Sequence, residues 1–123
     1  MQVKKTLLAL GLLLPMAAMA MPKGFVDPTT FKGSEAEKQS AINYIKARTQ
    51  KDMKTIGVDS PATLRMMEQS NLDAFKQLTA ATDKKLLKKV IETYCGQIDM
   101  CTYQNLKMMY DRDLEASKQD LNW

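Results

Sequence analysis

The chain has 123 residues, a formal charge of +4 and no histidine, which excludes the usual general base at neutral pH, histidine-based triads and the commonest metal ligand. Lys4 and Lys5 supply half of that charge. Without residues 1–20, sixteen basic residues face fourteen acidic ones and the balance falls to +2, too little to argue for nucleic acid or an anionic membrane as partner.

The first element, residues 1–20, has the form of a secretory signal: Lys4 and Lys5, an apolar core from Leu7 to Leu14, and Ala18-Met19-Ala20 as an A-x-A cleavage site. Its apolar run is far short of the ~20 residues of a membrane span. The expected product is a periplasmic or secreted chain of 103 residues with no transmembrane segment. The residue immediately after the cleavage site is Met21 and not a cysteine, so a lipid anchor has no attachment point there. Residues 21–33 contain Pro22, Gly24, Pro28 and Gly33 and are predicted to form an extended arm, with Phe25, Val26 and Phe31 able to pin it to the body.

A helical domain is predicted over 34–123. Ser34 and Glu37 form a capping box, and Ala41, Ile42, Ile45, Met53 and Ile56 follow at roughly helical spacing. Gly57 supplies a left-handed stop. Asp59-Ser60-Pro61 then restarts the chain with a cap and a first-turn proline. The second helix is predicted to bury Leu64, Met67, Leu72, Phe75 and Leu78, running through Ser70-Asn71 without a break. Asp83 caps a third helix with Leu86, Leu87, Val90, Ile91 and Tyr94 on one face, and Gly96 is expected to end it. The fourth is predicted to start near Asp99 to Thr102 and to bury Leu106, Met109, Tyr110, Leu114 and Leu121. No stretch alternates as a half-buried strand does.

Leu64-Arg65-Met66-Met67 returns as Leu106-Lys107-Met108-Met109, and Leu72, Ala74, Lys76 and Gln77 return as Leu114, Ala116, Lys118 and Gln119 at the same offset of 42. A gapless echo of that length reads as one supersecondary unit used twice. The predicted fold is therefore all-α: a small four-helix bundle of two repeated αα-hairpins, 34–81 and 82–123, with the N-terminal arm and one disulfide. Cys95 and Cys101 are the only cysteines, and in an exported chain their simplest fate is that disulfide. The C-x5-C spacing argues against a redox pair of the C-x-x-C kind.

Asp111 and Glu115 lie one turn apart and offer a carboxylate pair, but on a helix with Lys107, Arg112 and Lys118 they read as a solvated face. With Asp113 they also make a sparse calcium set that lacks the glycine and terminal glutamate of an EF-hand loop. Lys84, Lys85, Lys88 and Lys89 form the densest charge cluster, suited to an acidic partner or to pairing with the acidic run of the fourth helix. Thioethers are soft ligands, so Met67 and Met109 make a Cu(I) site the alternative to simple core packing, while Met66 and Met108 are placed nearer the edge. These features point to a binding protein without catalytic activity and with no cofactor implied. The expected role is that of an inhibitor, immunity protein or small chaperone acting on another envelope or secreted protein. Lys84, Lys85, Lys88, Lys89, Met66 and Met108 are the candidate contacts, homo-oligomers are compatible with the sequence, and a Cu(I) or small-ligand carrier is the alternative.

Overall fold

A computed structural model describes residues 21–123, so the signal reading of residues 1–20 lies outside the described residues. Four helices follow in chain order: α1, Glu35–Thr55; α2, Pro61–Thr79; α3, Lys84–Ile91, which runs on as a π-helical segment, Glu92–Gln97; and α4, Tyr103–Ala116. No strand occurs among the described residues. The closest pair is α2 with α4; α1 packs on α2 and α3 on α4.

Local chemistry sets the helix ends. The Ser34 hydroxyl accepts from the Glu37 amide and the Glu37 carboxylate accepts from the Ser34 amide, both at 3.1 Å, so the capping box closes as predicted. Those contacts hold the Glu37 pKa below the usual carboxylate value, the Ser34 amide being the main cause. Gly57 takes a φ of 75°, and the Val58 amide reaches back to the Met53 carbonyl at 2.9 Å, the Schellman ending of α1. Ser60, Asp83 and Thr102 cap the other three helices through their side chains.

Two ends differ from expectation. Gly96 does not stop α3: it is buried within the π-helical segment, whose wider turn lets the Ile98 amide reach the Thr93 carbonyl at 3.1 Å. Helix α4 stops at Ala116, and Leu121, expected on its apolar face, is 96% exposed. The cause lies in the echo itself. Ser117 and Asp120 occupy the places of Phe75 and Leu78, the deep anchors at the end of α2, so nothing apolar draws the last turn onto the body. Ile56, assigned to the buried stripe of α1, is likewise exposed, since it falls at the helix cap.

The core comprises Ala41, Tyr44 and Ile45 of α1; Ala74, Phe75 and Leu78 of α2; Leu87, Val90 and Ile91 of α3; Tyr103, Leu106 and Tyr110 of α4; and the disulfide. Leu64, Met67 and Leu72 are only half-buried. Residues 21–34 are non-helical, with turns at Pro22–Phe25 and Asp27–Thr30, and Phe25, Val26 and Phe31 pack against the core.

Three tyrosine hydroxyls fasten the non-helical segments to that core. Tyr44 donates to the Cys101 carbonyl at 2.7 Å. Tyr103 donates to the Val26 carbonyl at 2.7 Å and accepts from the Val26 amide at 3.1 Å. Tyr110 accepts from the Asp83 amide at 3.0 Å.

Asn71 does the same work between helices. Buried on α2, it donates to the Met67 carbonyl at 3.0 Å and accepts from the Gln104 amide at 3.1 Å, filling one of the unpaired N–H positions in the first turn of α4. Ser70-Asn71 thus joins two helices instead of breaking one. Replacing Asn71 with alanine leaves the Gln104 amide unpaired in a part-buried place and is expected to cost about 1–3 kcal/mol. Urea unfolding followed by circular dichroism measures it; a loss within ~0.5 kcal/mol, the scale of an ordinary surface change, would show that water replaces the cap.

Candidate functional site

Lys84, Lys85, Lys88 and Lys89 are all exposed on α3, opposite its buried Leu87, Val90 and Ile91. The sequence allowed these lysines to pair with the acidic residues of α4, but no such ion pair forms. Asp111 pairs with Lys107 on its own helix, and none of the ion pairs among the described residues includes a lysine of this face. Lys84 donates only to the Thr79 carbonyl, at 3.4 Å. Lys84 and Lys85 also stand in the first turn of α3, where the positive end of the helix dipole disfavours a cation by about 0.3–1 kcal/mol. Lys88 and Lys89 stand in the last turn, where the dipole favours a cation, so only the first pair works against the helix, and none of the four has an ion-pair partner among the described residues.

The methionine pairs divide as the 100° step between helical neighbours requires. Met66 is 63% and Met108 43% exposed. Met67 and Met109 are half-buried on the packed pair α2 and α4, and Met109 lies against the core. No group of three or more Cys, Asp or Glu side chains stands ready for a metal ion among the described residues. Asp111 and Glu115 are both exposed and line neither of the two concavities described below.

The stapled corner bears a groove of about 590 Å3, lined among others by Lys23, Tyr44, Arg48, Lys51, Cys95 and Asp99. Arg48 is its hub. The guanidinium meets Asp52 at 3.0 Å and Asp99 at 2.8 Å, and donates to the Asp99 carbonyl at 3.4 Å. Burial opposes its charge, but the hydrogen bonds it donates to Asp52 and Asp99 outweigh that cost and raise its pKa. Burial also pushes the Tyr44 phenol up. Arg48 is thus committed to tying α1 to the corner and leaves Lys23 and Lys51 as the groove's uncommitted cations. Sequence reading passed over Arg48, Tyr44 and Tyr103. The signal was available for α1, where Ala41, Tyr44, Ile45, Arg48 and Asp52 share one helical face.

Cys95 and Cys101 form a disulfide, buried at both ends. No helix among the described residues is long and apolar enough to cross a membrane. Compared with protein-family models, with curated proteins and with solved structures, the chain has no match.

Proposed function

We propose that this is an exported protein-binding module, working as an inhibitor, immunity protein or chaperone would, by occupying an acidic surface of another envelope or secreted protein without catalysis. The observation that carries the reading is the α3 face, with four ammonium groups on two turns and no carboxylate of the described chain paired to them. Stability alone favours acidic residues in the first turn of α3. A lysine pair standing there despite that cost fits a surface whose use lies outside the molecule. Met66 and Met108 add adaptable apolar contact at a binding surface.

The two hairpins, 34–81 and 82–123, fit copies of one ancestral unit, since α1 packs on α2, α3 on α4, and the two equivalent helices α2 and α4 on each other. In that reading three of the four lysines are particular to the second copy, because the equivalent positions on α1 are Ile42, Asn43, Lys46 and Ala47.

The test changes Lys84, Lys85, Lys88 and Lys89 together to glutamate. Partner capture from envelope and secreted fractions is expected to fall by more than about tenfold and to weaken with salt in the wild type. In the same variant the gain at Lys84 and Lys85 in the first turn, about 0.3–1 kcal/mol per site, is offset by a comparable loss at Lys88 and Lys89 in the last turn, so net stability should change little. Equal capture by both proteins would sink the assignment of this face.

A further inference from the structure

The first hairpin holds a second concavity, a slot of about 290 Å3 between the N-terminal half of α1 and the C-terminal half of α2. Ala41 and Phe75, both buried, contribute to its lining, together with the half-buried Phe31, Ile42 and Leu72. Phe31 meets Phe75 edge-on with ring centres 5.0 Å apart, so residues 21–34 supply part of this lining. The Thr79 hydroxyl is engaged with the Lys76 carbonyl at 2.6 Å, which leaves little in the slot to hold water.

Two lysines complete the lining, Lys38 from α1 and Lys76 from α2, and no carboxylate does. Lys76 has no ion-pair partner among the described residues. Lys38 meets Glu35 at 3.2 Å in a well-exposed pair, a contact weak enough to be given up. We propose that this slot binds an anionic amphiphile with a short apolar tail, such as a medium-chain carboxylate, the tail against Phe31, Ile42, Leu72 and Phe75 and the head group between Lys38 and Lys76.

Each half of that ligand answers a different half of the site. A bare anion gains nothing from the walls, and an uncharged tail gains nothing from the two ammonium groups. The volume sits at the small end of the ~300–1,000 Å3 usual for ligand pockets, which sets the tail as short. The slot lies between α1 and α2, whereas the lysine face belongs to α3, which packs on α4, so this inference stands apart from the protein-binding reading.

Titration calorimetry of the protein with straight-chain carboxylates from hexanoate to dodecanoate, kept below their micelle concentrations, tests it. One saturable site is expected, tightening by about fourfold per added methylene until the tail outgrows the slot. Decanol is expected to bind more weakly than decanoate. Lys38→Gln with Lys76→Gln should weaken decanoate by about tenfold, the combined effect of two part-exposed charge contacts, and should erase the preference over decanol. The four-glutamate variant of α3 should bind decanoate as the wild type does. Non-saturable binding, no dependence on chain length, equal binding of decanol, or loss of decanoate binding in the α3 variant would each overturn the proposal. The chain-length series on unaltered protein decides the matter even where a variant folds poorly.

Discussion

Tyr103→Ala is expected to remove about 3–5 kcal/mol of stability, the usual cost of deleting a buried aromatic ring and a large share of the ~5–15 kcal/mol that holds a small domain together. Tyr103 is 1% exposed and its ring touches three others: Phe75 of α2 at 4.7 Å, Phe25 at 5.5 Å and Tyr44 of α1 at 5.7 Å between centres. One side chain of α4 therefore joins two other helices and the N-terminal segment. Tyr103→Phe separates the hydroxyl from the ring: it keeps the packing but unpairs both polar groups of Val26, for an expected loss of about 1–3 kcal/mol. Urea unfolding of the two variants measures both terms. A phenylalanine variant as stable as the wild type would mean that the ring alone carries the site.

The phenol adds a pH signature. Burial raises the Tyr103 pKa above the ordinary value of 10.0, and burial raises Tyr44 as well. A folded-state pKa raised in this way means that stability is intact below the unfolded value and declines as pH rises beyond about 10, where only the unfolded chain ionises; each such group contributes up to ~1.4 kcal/mol per pH unit. Tyrosinate absorbance followed alongside circular dichroism should show these two phenols ionising only as the helices melt.

Converting Cys95 and Cys101 together to alanine is expected to cost about 2–3 kcal/mol, since the chain-entropy model gives ~2.4 kcal/mol for so short a loop. In a domain of this size that lowers Tm by roughly 10–20 °C. Two further ties share the corner, the Tyr44 hydroxyl on the Cys101 carbonyl and Arg48 on Asp99, so the helices should still form without the disulfide. Adding Arg48→Ala should then cost more in the background that carries the two alanines than in the wild type, because the two ties restrain one segment. Differential scanning calorimetry of the two single changes and their combination measures that coupling. Strict additivity would show that the disulfide and Arg48 act independently.

Most of the helical frame was legible from short-range chemistry. Ser34 with Glu37, Gly57, Ser60 before Pro61, and Asp83 each act within four residues of themselves, which is why their roles could be read directly. What escaped notice acts across long separations: Asn71 on Gln104, Tyr103 on Val26, Arg48 on Asp99. A polar side chain with a distant partner leaves no periodic trace. The repeat misled at one place for a related reason. Matching Leu72 with Leu114 and Lys76 with Lys118 encouraged a full-length α4, while the decisive positions were the mismatches Phe75 with Ser117 and Leu78 with Asp120. Among the candidate contacts, spacing separated the exposed Met66 and Met108 from the half-buried Met67 and Met109. The slot between α1 and α2 had no linear signature at all, because Phe31, Ile42 and Phe75 meet only once the hairpin closes.

The tyrosine fastenings have a consequence for how the chain tolerates change. The segment before α1, the turn before α3 and the stapled corner each hang on a hydroxyl rooted in the core, so none of them can be lengthened or cut without disturbing a buried ring. The α1–α2 junction has no such fastening. From Ile56 to Ser60 every residue is exposed, and the turn rests on backbone hydrogen bonds and its two flanking caps. That junction is the seam of the molecule, where a foreign loop or a tag can be spliced in while both the lysine face and the slot keep their shape.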